Sequence, residues 1–209
     1  LSNMFEAGTI TAADIEELGK VVAQFHDRAL KSEYISSFGE IAKIRESIDD
    51  NYRHTEKYIG RAQTQAQFVE TKAYTERYFS KHPELFIERI TGGFIRECHG
   101  DLHLRNICRW QDKIFLFDCI EFNEDYRFVD TMYDVAFAVM DLEARGRKDL
   151  ANRFLNTYTE QTGDWEGLQV LPLYLSRQAY VRAKVTSFLI DDPGIPSADK
   201  DQAAKTAGD

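Results

Sequence analysis

The sequence predicts a mainly α fold interrupted by one small β hairpin. Apolar residues recur at helical spacing on both sides of the middle of the chain. Between these regions, Ile107–Trp110 and Ile114-Phe-Leu-Phe117 are short apolar runs separated by polar Gln111-Asp-Lys113, which is the pattern of a hairpin. No apolar run approaches the roughly 18 residues that a membrane-spanning helix needs.

Taken in order, Thr11-Ala-Ala-Asp14 is a capping-box variant ahead of Ile15, Leu18, Val22 and Phe25, and predicts a helix over 12–30. A second helix is predicted at 37–48. A long one follows at 51–80, with Tyr52, Ile59, Ala66, Val69 and Tyr74 as core positions. Pro83 suits the first turn of another helix, and Gly92-Gly93 ends it. Phe94–Cys98 opens the β segment, and residues 121–128 read as a polar and aromatic loop. Val129–Arg145 is an apolar helix with Met132, Val135, Ala136, Val139 and Leu142 on one side. Lys148–Thr162 continues as helix, Gly163-Asp-Trp165 marks a turn, and a last helix covers 167–190. Residues 1–190 are expected as one domain. The segment 191–209, with Pro193, Gly194 and Pro196, is expected as a linker or disordered tail. Trp110, Trp165, Tyr126 and Phe128 are expected to pack, the last two with a sugar or base as the alternative contact.

A length of 209 residues fits one domain or one lobe of a two-lobed protein. The net charge of −9 argues against nonspecific nucleic-acid binding, which needs a basic face. The three cysteines, Cys98, Cys108 and Cys119, form no CxxC pair. They are expected as small core residues of a cytoplasmic protein without disulfides. The first residue is Leu and no signal peptide is visible, so a piece of a longer cytoplasmic chain is expected, away from membranes.

The unusual residues sit in the β excursion: His99-Gly100-Asp101-Leu102-His103-Leu104-Arg105-Asn106, then Asp118 at the end of an apolar run. Phosphoryl transfer is mainly positioning and charge neutralisation. One carboxylate must orient the attacking hydroxyl and accept its proton, and Asp101 is the candidate. Mg2+ takes hard oxygen ligands and keeps several waters, so Asn106 and Asp118 suffice from the protein side. A hairpin between them would bring Asp118 back beside Asn106. The competing account makes His99, Asp101 and Asn106 ordinary turn and capping residues. A zinc site built on His99-x-Asp101-x-His103 is disfavoured, because His26, His54 and His82 lie far upstream.

His99–Asn106, Phe117-Asp118 and Asp130-Thr-Met-Tyr-Asp134-Val-Ala136 together resemble the aminoglycoside phosphotransferase family of the protein-kinase-like superfamily. CHGDLHLRNIC, LFDCIEFN and DVAFAVMDLEARG are similar to a branch often fused to a following P-loop ATPase domain. The likeness is close over 94–147 and looser over 9–30, with Ala23-Gln-Phe-His-Asp27, and over 165–190. It implies a protein-kinase-like C-terminal lobe, with Asp101 as catalytic base and Asn106 and Asp118 as Mg2+ ligands. It implies that Asp134 braces the catalytic loop and that ATP or GTP donates to a small-molecule hydroxyl. On this reading His99 organises the loop, and His103 is near the phosphates or merely packed. Arg105 approaches a phosphate or an acidic substrate, or is a solvated or ion-paired arginine. Glu121, Glu124, Asp125 and Asp130 form an acidic segment that would attract a polyamine acceptor, against the alternative of a solvated loop.

The chain departs from the family in lacking a glycine-rich loop, a V-A-x-K lysine and a paired helix glutamate before Thr9. No G-x-x-x-x-G-K-[ST] loop is present either. The expectation is a lobe without its nucleotide-holding partner, inactive alone. A catalytically silent kinase-like module attached to a P-loop domain is the alternative. A protein kinase is disfavoured, since Cys119 follows Asp118 where D-F-G would stand, and no A-P-E segment appears.

Overall fold

The computed structural model describes residues 1–208 and is mainly helical. In chain order the helices are α1 (Ser2–Glu6), α2 (Ala12–Arg28), α3 (Glu33–Ser36), α4 (Ile41–Thr55), α5 (Gln65–Lys81), α6 (Pro83–Thr91), α7 (Glu124–Arg127), α8 (Thr131–Ala144), α9 (Lys148–Thr162), α10 (Leu171–Asp191) and α11 (Ser197–Gly208). The strands are β1 (Ile95–Glu97), β2 (Ile107–Trp110), β3 (Lys113–Leu116) and β4 (Phe128–Asp130). None of the described helices is long and apolar enough to cross a membrane. The chain divides into two compact units. The first comprises Leu1–Glu40 and Leu85–Leu175, the second Ile41–Glu84 and the chain from Ser176.

The first unit is built around α8, in which every residue from Thr131 to Leu142 is buried. A helix buried on all sides belongs at the centre of a core. Helices α2 and α9 pack against each other, and α9 against α8. Helix α2 starts at the expected capping box, with Thr11 accepting from the Asp14 amide, and buries Ile15, Leu18 and Val22. Its contact with α9 is close because position 19 has no side chain. A Cβ on Gly19 would lie 2.9 Å from the Thr157 Cβ and 3.2 Å from the Phe154 carbonyl oxygen.

The hairpin forms as expected. Ile107 pairs with Leu116 and Trp110 with Lys113. Gln111 and Asp112 turn with φ of 49° and 59°, the left-handed pair of a tight two-residue turn. A second pairing differs from the sequence expectation: Ile95 lies opposite Asp130 and Glu97 opposite Phe128. Phe128 and Val129 are therefore strand residues, in place of a loop end and a helix start. Residues 124–127 likewise form the single turn α7.

Buried charge is concentrated at the start of α8. Arg89 donates to both carboxylate oxygens of Asp130, at 2.6 and 2.9 Å, and to both oxygens of Asp164. The guanidinium carbon sits 3.8 Å from the Phe94 ring centroid. Asp130 also accepts from the Met132 amide at 2.9 Å, so it caps α8. Its place in the acidic acceptor segment is thereby corrected: Asp130 is buried and faces Arg89, not solvent.

In the second unit the expected helix over 51–80 is two helices. A single-turn 3-10 helix at Glu56–Tyr58 and Gly60 at φ +85° break it. Thr64 then starts α5 with a capping box to Gln67. This new start resets the phase, so Phe68, Thr75 and Phe79 are buried while Ala66 and Val69 are exposed and Ile59 and Tyr74 half-buried. Tyr52 is in the core, edge-on to Phe68 and Tyr180. The segment expected as a tail contains α11, whose Ala203 packs with Tyr58, Ala62 and Ile190.

Removing Arg89 leaves two buried carboxylates unpaired, so Arg89→Ala is expected to lower stability by about 3–5 kcal/mol in urea denaturation. A loss under about 1 kcal/mol would show that the triad does not hold α8. Gly19→Ala gains helix propensity but overpacks the α2–α9 contact. A fall of about 1–3 kcal/mol is expected, and an unchanged or raised Tm would mean that the two helices separate at no cost.

Candidate active site

The loop that follows β1 owes its shape to Gly100 and to two carboxylates on α8. Gly100 has φ +81°, and a Cβ there would lie 2.5 Å from the Tyr126 carbonyl oxygen. Both the torsion and the clash require glycine. The His99 amide donates to Asp134 Oδ2 at 2.7 Å and the Gly100 amide to Asp134 Oδ1 at 2.8 Å. Two helical turns further along, Asp141 Oδ2 accepts from the Leu104 amide at 3.0 Å, and Arg145 Nε donates to Asp141 Oδ1. Seven residues separate the two aspartates, so they share one face of α8. One holds the start of the loop and the other its end.

His99 joins this loop to the segment that follows β3. The Asp101 amide donates to His99 Nδ1 at 3.3 Å. Nδ1 is therefore the acceptor, and Nε2 carries the hydrogen that goes to the Phe117 carbonyl at 2.9 Å. The His99 carbonyl accepts from the Ile120 amide at 2.9 Å. Asp118 lies between these two attachments with φ +60°, a conformation that Asp tolerates better than most residues. The Phe117 amide also donates to the Asn106 carbonyl at 3.1 Å. The hairpin thus returns Asp118 to the neighbourhood of Asn106. The Asp118 residue is exposed and its carboxylate has no protein partner among the described residues.

Within the loop, Asn106 is buried and its Nδ2 donates to the Asp101 carbonyl at 3.0 Å and to Asp101 Oδ2 at 2.9 Å. That leaves Oδ1 of Asn106 as the atom that could hold a metal ion. His103 Nε2 stands 3.4 Å from Asp101 Oδ2, and the ring meets Phe137 edge-on. Burial pushes the Asp101 carboxyl up, but hydrogen bonding and charge from His103, with the Asn106 amide, outweigh it and leave the carboxyl below its ordinary range.

Other predicted residues are less tightly held. Arg105 is exposed on the single turn Leu104–Asn106. Glu121, Glu124 and Asp125 are exposed, but Glu124 Oε2 accepts from the Tyr34 hydroxyl at 2.6 Å. Of the cysteines only Cys98 is buried; Cys108 is half-buried and Cys119 exposed. Trp110, Trp165 and Tyr126 are exposed, and only Phe128 is in the core. Trp110 lies on the hairpin against Phe115, a two-stranded element with one face uncovered in this unit.

His26 belongs to the site's support despite its distance in sequence. Its Nε2 lies 3.2 Å from Asp134 Oδ2, and its Nδ1 lies 2.9 Å from the Tyr158 hydroxyl. The signal was present: His26 follows Val22 by one helical turn, on the buried face of α2, and a buried imidazole needs polar partners. Cys98 completes a buried group with His26 and Asp134. The arrangement does not suit a metal ion. The candidate ligand atoms are already engaged: the Asp134 oxygens accept two amides, both His26 nitrogens have partners, and the Cys98 thiol donates to the Val129 carbonyl at 3.4 Å.

The chain is similar to uncharacterized mycobacterial proteins. One from Mycobacterium bovis and two from strains of Mycobacterium tuberculosis are each 30% identical to it over 185 residues, covering 88% of this chain. The chain spans 37% of the length of these curated relatives. No family model matches the chain, and no solved structure matches it.

Because Asp101 is held below its unfolded value of about 3.9, its contribution to stability is present above that pH and is lost as pH falls through the lower folded pKa. Urea denaturation of wild type and Asp101→Asn should therefore show a stability gap at about pH 6 that narrows below about pH 4. A gap constant down to about pH 2.5 would mean that the carboxyl is not depressed.

Proposed function

We propose that this chain is the catalytic lobe of an aminoglycoside-phosphotransferase-like small-molecule kinase. The reaction would move the γ-phosphoryl of ATP or GTP to a hydroxyl of a small acceptor. The observation that carries this reading is the linkage of Asp101 to Asn106 within one braced loop, with the hairpin bringing Asp118 alongside. A turn-and-cap role for these residues would not require two buried carboxylates on α8 to fix the loop.

The donor set suits Mg2+. Asn106 offers a carbonyl oxygen because its nitrogen is engaged by Asp101. Asp118 offers a carboxylate without a competing partner among the described residues. Both are hard oxygen ligands. When bound, Mg2+ would neutralise phosphate charge. Asp101 would accept a hydrogen bond from the acceptor hydroxyl. A carboxylate held below its ordinary pKa is a weak base, so Asp101 orients the hydroxyl first and takes its proton late, as bond formation acidifies it. His103 keeps Asp101 ionised, and exposed Arg105 is available to a phosphate. Exposed Glu121 and Asp125 offer negative charge to a cationic acceptor.

The test is phosphate transfer by the intact protein, wild type against Asp101→Asn, with ATP and GTP and a panel of aminoglycosides and hydroxylated metabolites. The variant is expected to lose about 10²–10⁴-fold in kcat. Equal turnover would remove Asp101 from its role. No transfer by wild type to any acceptor would favour a catalytically silent kinase-like module attached to a P-loop domain.

A further inference from the structure

Behind the loop runs a buried chain of polar atoms that phosphoryl transfer itself does not touch. The Tyr158 hydroxyl meets His26 Nδ1, His26 Nε2 meets Asp134 Oδ2, and the Asp134 oxygens receive the His99 and Gly100 amides. Tyr158, His26 and Asp134 are 1%, 2% and 0% exposed. We propose that His26 is a positioning residue of the reaction, locking the Asp134 carboxylate so that the backbone beneath Asp101 is held in one place. This rests on the phosphotransferase reading above.

The hydrogen-bond directions are set from the Asp134 end. Amides can only donate, so Asp134 accepts from His99 and Gly100. Its Oδ2 then faces His26 Nε2 as an acceptor, which puts the imidazole hydrogen on Nε2. Nδ1 is left as a lone pair, and the Tyr158 hydroxyl donates to it. Burial pushes the Tyr158 phenol well above its ordinary pKa, so that donor hydrogen stays in place. A phenol hydroxyl can donate or accept, so Asp134 sets the tautomer and Tyr158 complements it from the other side of the ring.

His26 is also fixed through its backbone. Arg96 on β1 donates to the His26 carbonyl and, through Nε, to the Gly93 carbonyl at 2.9 Å. The imidazole is therefore tied to α9 by Tyr158 and to α8 by Asp134, and the His26 backbone to β1 by Arg96. A carboxylate held only by two adjacent amides of a glycine-containing loop can swing with that loop. The third donor, from rigid α2, prevents it. The consequence reaches Asp101 because its amide follows Gly100 directly.

A buried histidine that only fills space makes a different prediction, and the intact protein can separate the two. His26→Leu removes both hydrogen bonds. His26→Gln keeps a donor near the Nε2 position, and Tyr158→Phe removes only the hydroxyl. His26→Leu is expected to lower kcat about 10–100-fold with KM for nucleotide and acceptor nearly unchanged, because misplacement of the reacting group affects the transition state more than ground-state binding. His26→Gln should recover most of the loss, and Tyr158→Phe should fall between. Deuterium exchange, read by mass spectrometry, should rise over 98–104 in His26→Leu and return towards wild type in His26→Gln, with 148–157 unchanged. Unchanged kcat, equal loss in the Leu and Gln variants, or exchange rising equally across both segments would overturn the proposal. If wild type transfers no phosphate, the phosphotransferase reading fails on its own. The exchange then decides whether His26 holds the loop: a local rise supports it and no rise refutes it.

Discussion

Two backbone amides end on the carboxylate of Asp134, and the candidate site stands on that pair of hydrogen bonds. The amides of His99 and Gly100 are buried beneath the loop, where leaving either one unpaired would cost about 1–3 kcal/mol. A charged acceptor makes each bond stronger than one to a neutral carbonyl. The left-handed torsion at Gly100 turns the chain so that both amides face the same side chain. Every later feature of the loop follows from this fixed start, including the Asp101 position, the single turn at Leu104–Asn106 and the His99 link to Phe117.

A buried carboxylate can serve this way only if its helix is itself immobile. Helix α8 is held at its first turn by Asp130, which caps it and is gripped by Arg89, and Arg89 is gripped in turn by Asp164. Such a buried ion network adds little net stability compared with apolar packing, because desolvation offsets the Coulombic gain. Its value here is directional. It fixes the rotation of α8 about its axis, and that rotation decides whether Asp134 and Asp141 both face the loop. The Gly19 contact between α2 and α9 acts alongside it, because it sets how closely His26 and Tyr158 approach.

The local signals in the sequence were reliable where a residue type has few alternatives. The Thr11 capping box, Pro83 at a first turn, Gly93 and Gly163 in left-handed caps and the two-residue hairpin turn all stand where their chemistry places them. The failures share one cause: partners remote in sequence. Strand β4 exists because it pairs with β1, and three residues are too few to show an alternation. Helix α11 is polar along most of its length and is ordered through the burial of Ala203. In the site, His99, Asp101, Asn106 and Asp118 carry a spacing pattern and could be read from it, while Asp134 was implied only by the family resemblance. His26, Tyr158 and Asp141 carry none, since each acts through hydrogen bonds made possible by helix packing. Exposed Cys119 and Trp110 show the converse error, because an apolar or soft residue on or beside a two-stranded hairpin has only one face to bury.

Burial falls steadily from the residues that brace the loop to those proposed to act in the chemistry. Asp134, His99 and Asn106 are buried, Asp101 is partly open, and Asp118 and Arg105 are exposed. A phosphoryl-transfer site needs this order. The groups that set geometry must lie in a rigid, dry interior, where hydrogen bonds are strong and directions fixed. The groups that meet phosphate, metal and acceptor must reach solvent, because each of these arrives hydrated and leaves again. Asp118 illustrates the compromise: its backbone is held in a left-handed conformation between two attachments to His99, while its carboxylate is open. On the proposed reading, the same order would let a weak base suffice at Asp101. A loop fixed from behind can supply orientation, and orientation is the larger share of the work in transferring a phosphoryl group through a loose transition state.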